Sequence, residues 1–92
     1  MTENEYRQDA AAKGYGEPIV KTWEGNHSND VHTHAMSAYL LIQEGAAILG
    51  VETAAGLVST TLAAGSTIEV PAGCRHFESA GGSAVKFLAA TK

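Results

Sequence analysis

The chain has one cysteine, two prolines, one tryptophan and no long apolar run. With Cys74 alone, no intrachain disulfide can form, so stability has to come from a packed core, and a reducing cytoplasm is the expected compartment. The longest wholly apolar stretch, Ala38-Tyr39-Leu40-Leu41-Ile42, is far below the roughly 20 residues that span a bilayer, and no membrane partner is expected. Met1 to Lys13 is polar and carries Glu3, Glu5 and Asp9, unlike a secretory leader. Basic residues are scarce as well. The 6 Lys and Arg against 10 Asp and Glu give a formal charge of −4 with no basic stripe, which argues against nucleic acid as a partner. The 92 residues make one domain and leave no space for an added helix-turn-helix. A chain of this size buries only about 60–65% of its unfolded surface, so the core is marginal and a second subunit, as in a homodimer, would help.

What the chain does have is glycine punctuation. Residues 1–18 read as a short N-terminal helix and linker. Thr2 is placed to cap the helix with Glu5 three residues on, Tyr6 and Ala10 share one face, and Gly14 ends it. Gly14, Gly16 and Pro18 mark the linker. Residues 19–92 read as strands: 19–23, a longer extended segment over 32–43, then 46–52, 57–62, 66–70, 74–79 and 84–89. Ala54-Ala55-Gly56 has the composition of a hairpin turn. Many short strands between turn signals indicate an all-β sandwich or barrel rather than a parallel α/β sheet.

The chemistry concentrates in histidine. Alternation along a strand places residues 32, 34, 36 and 38 on one face, so His32 and His34 point the same way and can present two nitrogens to one ion. On its own a His-x-His pair is more often a solvated or hydrogen-bonded pair than a metal site. A second stretch supplies a third imidazole. Pro71-Ala72-Gly73 is a turn, and His76 follows it at the start of another strand. Met36 shares the face of His34 and reads first as a core residue with a possible place in a pocket. Cys74 and Glu78 flank His76 at two residues on either side. Cys74 reads as a small buried hydrophobe. Glu78 either faces inward as a fourth ligand or proton-transfer group or faces out as a solvated charge, depending on strand register. His27 reads as exposed, Asn29 and Asp30 as turn residues, and Trp23, Tyr39, Phe77 and Phe87 as core or dimer-interface residues.

These two stretches resemble a known family. Gly25, six residues, His32-Thr33-His34 and later Gly45 is similar to the first motif of the small cupins. Gly65, five residues, Pro71-Ala72-Gly73, two residues and His76 is similar to their second. The resemblance covers about residues 19–89. It implies a double-stranded β-helix, a jelly-roll-like barrel that is often dimeric, with a divalent metal held at the barrel mouth by the motif histidines, here His32, His34 and His76. Two positions depart from the family pattern. Ala38 stands where a glutamate is usual, and Ala80 where an asparagine is usual. Without the carboxylate, three neutral ligands would leave more positive charge on the ion and favour anionic ligands.

The reading is therefore a small cupin holding one divalent transition metal (Fe, Zn, Ni, Cu or Mn) through His32, His34 and His76, beside a pocket that includes Met36, Ala38, Cys74 and Glu78. A small-molecule ligand or substrate would fill the open positions, with dioxygenase or isomerase chemistry on a small organic anion. The alternative is a non-catalytic module that binds or senses a small ligand or the metal itself. Three histidines suit several metals alike.

Overall fold

The structure, a computed structural model, describes residues 1–92. Helix α1 (Glu3–Ala12) begins where its capping chemistry places it. The Thr2 side chain accepts from the Glu5 amide at 3.1 Å and the Glu5 carboxylate accepts from the Thr2 amide at 3.0 Å, satisfying two amides that the first turn leaves free. Gly14, at φ +84°, turns the chain out of the helix. Seven strands follow: β1 (Ile19–Trp23), β2 (Ala38–Glu44), β3 (Ala47–Thr53), β4 (Gly56–Leu62), β5 (Thr67–Val70), β6 (His76–Ala80) and β7 (Val85–Thr91). They form two antiparallel sheets, ordered β1-β7-β2-β5 and β4-β3-β6.

The main core lies between the sheets. Leu40 and Ile42 of β2, Val70 of β5, and Val85, Phe87 and Ala89 of β7 meet Ala47 and Leu49 of β3, Leu62 of β4 and Ala80 of β6. The other face of the four-stranded sheet is covered by α1, where Tyr6 and Ala10 pack on Tyr39, Leu41, Leu88 and Ala90. This double covering explains the continuous apolar run at 38–42, since both faces of β2 are dry. Tyr39, expected as a core or dimer-interface residue, belongs to the core that α1 covers.

Polar groups fasten the helix down. Tyr6 donates to the Tyr39 carbonyl at 2.6 Å, Tyr39 donates to Asp9 at 2.6 Å, and Lys13 bridges Asp9 at 3.1 Å and Glu69 at 2.9 Å. No helix is long and apolar enough to cross a membrane.

The largest departure from the expected strands concerns 32–43. Only 38–44 is a strand, and residues 31–37 form bends and turns with one isolated bridge at His32. The chain cannot run straight there. His32 exchanges two backbone hydrogen bonds with His76 of β6 in one sheet, whereas Ser37 exchanges two with Lys92 as the continuation of the β2–β7 ladder in the other, so the residues between them cross from sheet to sheet. The other strands end within two residues of their expected limits.

Burial pushes the Tyr6 phenol up to about 12, with the nearby Tyr39 adding to the effect. A raised acid contributes stability that is complete below its unfolded value near 10 and is lost as pH climbs through the folded value. Tyr6→Phe is therefore expected to lose about 1 kcal/mol at neutral pH, from its hydrogen bond. It should also flatten the alkaline limb of a stability–pH curve measured by urea unfolding. An unchanged alkaline limb would contradict this account of the helix contact.

Candidate metal centre

The site is built on the open edge of β6. Beyond β1 the chain turns back and runs antiparallel to that edge over residues 26–34. Five backbone hydrogen bonds stitch it down: Asn26 to Gly81, Ala80 to His27, Asn29 to Glu78, and a reciprocal pair between His32 and His76, at 2.7 to 3.0 Å. The entry is tight at Gly25, where a Cβ would stand 2.6 Å from the Gly82 carbonyl oxygen. At the other end, the Gly73 amide donates to the His34 carbonyl at 2.9 Å. Gly73 holds φ +77° in the turn that delivers His76, a conformation open to glycine at little cost.

This pairing brings three imidazoles together, with ring centroids 4.5, 4.7 and 5.1 Å apart for His32–His76, His32–His34 and His34–His76. Alternation along β6 turns His76, Glu78 and Ala80 inward, so the Glu78 carboxylate joins them. One ligand atom from each of His32, His34, His76 and Glu78 lies within 4.8 Å of every other, and the four could hold a metal ion. His76 is buried, Glu78 nearly so, His32 partly so, and His34 is exposed.

The donor set fits a divalent ion in two further respects. Nδ1 of His32 lies 2.6 Å from the Asp30 carbonyl and Nδ1 of His76 lies 2.9 Å from the Cys74 carbonyl. A carbonyl can only accept, so both Nδ1 atoms carry the proton and both Nε2 lone pairs face the cluster, as ligation requires. Two atoms each about 2.1 Å from one ion lie about 3.0–3.5 Å apart. His32 Nε2 lies 3.1 Å from His34 Nε2 and 3.5 Å from Glu78 Oε2, and His76 Nε2 lies 3.4 Å from the other carboxylate oxygen, Glu78 Oε1. Asn29 donates to Glu78 at 2.8 Å and fixes the carboxylate from outside the cluster.

The structure also revises several expectations about individual residues. Glu78, not the family position at Ala38, supplies a carboxylate, so the cluster has three neutral donors and one anionic donor instead of three neutral donors alone. Cys74 precedes β6, so strand alternation does not reach it. Its side chain packs on the core edge, outside the cavity, and only its carbonyl serves His76. Met36 is 50% exposed rather than a core residue, because the segment around it is not a strand. His27 is half-buried and stacks on Trp23 at 5.4 Å. Asn29, expected only to turn the chain, holds Glu78; its place on the β6 edge has no signature in the sequence.

A cavity of about 510 Å³ opens beside the cluster. Met36 and Ala38 line it with His32, His34, His76 and Glu78, and its inner wall is apolar, formed by Leu40, Leu49, Val70, Phe87 and Ala89. This size suits a small organic molecule.

With sheet order, core and site described, similarity to solved structures can be placed. The CENP-C cupin domain of Drosophila melanogaster superposes with a TM-score of 0.71 at 14% identity, over 82% of this chain and 59% of that one. The chain has the cupin fold. Oxalate oxidase, solved in complex with glycolate, superposes at 0.69 with 19% identity over 80% of this chain and 40% of that one. The oxalate decarboxylase of Lactobacillus farciminis, solved as a formate complex, gives 0.72 with 18% identity over 82% and 22%. The chain thus spans less than two thirds of the length of each. No protein-family model and no curated protein sequence matches it.

If the β6 pairing builds the site, prising it open should be visible locally. Gly25→Ala is expected to speed amide exchange at Asn29 and His32 while the circular dichroism of the sheets is kept. Protection that stays at wild-type level would show that the segment is held by something other than its entry at Gly25.

Proposed function

We propose that this cupin holds one divalent transition metal through His32, His34 and His76, with Glu78 as a fourth ligand, and takes a small organic anion into the adjoining cavity. The observation that carries the reading is the convergence of four ligand atoms within 4.8 Å, two of the imidazoles being turned ligand-side inward by backbone carbonyls. A bound ion would supply Lewis acidity toward the anion and, if it is Fe, Mn or Cu, electron exchange with it. The ion and its four donors together carry one net positive charge, which favours an anionic occupant. The fold neighbours solved with glycolate and formate lend support from outside this chain.

The chain's own residues have definable tasks in that reading. The Asp30 and Cys74 carbonyls orient His32 and His76, Asn29 orients Glu78, and the apolar wall excludes water from the body of the bound molecule. Oxidation of the anion, with dioxygen as the oxidant, is the chemistry proposed, because the cluster's only carboxylate is engaged by Asn29 and the imidazoles and leaves no free general base for hydrolysis or for proton-transfer isomerisation. The second reading, a module that binds without turnover, keeps the same site. It is favoured by the exposure of His34, and a metal that is always zinc or nickel would select it.

Metal analysis of untagged protein tests the proposal. Wild type is expected to carry about one equivalent of a single transition metal and His76→Ala none. Asn29→Ala should retain the fold and bind the metal about ten-fold more weakly, as the loss of an outer-shell partner predicts. Protein that contains no metal and takes none up on titration would end the metalloprotein reading.

A further inference from the structure

The six cationic side chains of this acidic chain are mostly accounted for. Arg7 pairs with Glu3 and Glu17, Lys13 with Asp9 and Glu69, and Arg75 with Glu52. Lys92 donates to the Lys13 carbonyl, and Lys86 lies opposite Glu44 in the β2–β7 ladder. Lys21 has no such partner. It sits on β1, opposite Phe87 and two residues from Trp23, whose ring packs on Phe87 at 4.4 Å. Alternation therefore gives Lys21 the inner face of the sheet, and it lines the cavity beside the histidine cluster. Among the residues lining that cavity it is the one lysine or arginine, and the one carboxylate, Glu78, is held by Asn29 and the imidazoles.

Lys21 is exposed on its strand and, like Lys86 and Lys92, forms no ion pair with a carboxylate; what sets it apart is its place in the cavity lining, beside the apolar wall. An inward cation next to an apolar wall makes sense where a ligand supplies the missing charge. We propose that Lys21 is the residue that selects the cavity's occupant, pairing with the carboxylate of a compound whose apolar body lies against Leu40, Leu49, Val70 and Phe87. This rests on the cavity being the ligand site, as above, and adds the class of ligand: an aryl or alkyl carboxylate rather than a neutral or wholly polar molecule. Lys21 is placed here as a specificity residue, and metal binding does not depend on it.

Phenylacetate and its uncharged isostere phenylacetamide serve as probes, titrated by calorimetry into zinc-treated and EDTA-treated wild type, Lys21→Gln and Lys21→Arg. Because the side chain is exposed on an edge strand, both variants are expected to fold, and metal content is measured on each. Wild type should bind the acid about ten-fold tighter than the amide, the size expected of one partly exposed charge-assisted contact. Lys21→Gln should reduce that ratio about ten-fold in both metal states, and Lys21→Arg should restore it. A ratio unchanged in Lys21→Gln, no preference in wild type, or no binding of either probe would each overturn the proposal. Protein that takes up no zinc, yet loses its preference for the acid in Lys21→Gln, would remove the metal reading and leave the role of Lys21 standing.

Discussion

The site depends on one interaction, the antiparallel pairing of residues 26–34 with the free edge of β6. Backbone amides and carbonyls left at a sheet edge need partners, and a strand there would ordinarily invite another chain. Here the polypeptide satisfies its own edge with a segment too irregular to count as a strand. The reciprocal bonds between His32 and His76 then set two imidazoles side by side as a matter of register. Glu78 follows two residues along, and Asn29 stands close enough to bind it because its own amide is bonded to the Glu78 carbonyl.

The second dependency runs through β2. Its two faces are buried against different partners, the three-stranded sheet on one side and α1 on the other. The helix is thus part of the packing of the barrel: it covers Tyr39, Leu41 and Leu88, which would otherwise be an exposed apolar face. Lys13 and Asp9 reach from its C-terminal end to Glu69 and Tyr39, tying it to β5 as well as β2. In a domain with so small an interior, a ten-residue helix supplies much of what the sheets lack.

How much of this the residues disclose in advance varies with the kind of evidence. Turn chemistry and spacing are local, so the capping box at Thr2, the hairpin at 54–56 and the His76 turn are readable directly. The grouping of His32, His34 and His76 is readable from the motif spacing, but the reason offered for it, a continuous strand from 32, is not the one the fold uses. The segment breaks because His32 pairs with β6 in one sheet while Ser37 onward pairs with β7 in the other, and no local pattern announces that crossing. Glu78 shares the face of His76 by alternation, while Cys74 falls outside because β6 begins only at His76. For Lys21 the local signal is its i, i+2 relation to Trp23 on β1, which places both on one face.

The β3–β4 hairpin carries a consequence of another kind. Val51 is the last β3 residue paired to β6, opposite His76, so Glu52 to Leu57 run on past the end of that strand at the level of the metal centre. Their tip is a two-residue turn, Ala54-Ala55, exposed and closed by the Thr53 hydroxyl donating to the Gly56 carbonyl. No residue of that turn lines the cavity or belongs to the histidine cluster. A few residues inserted there would therefore lengthen the hairpin while the cluster, the carbonyls that orient it and the core beneath stay as they are.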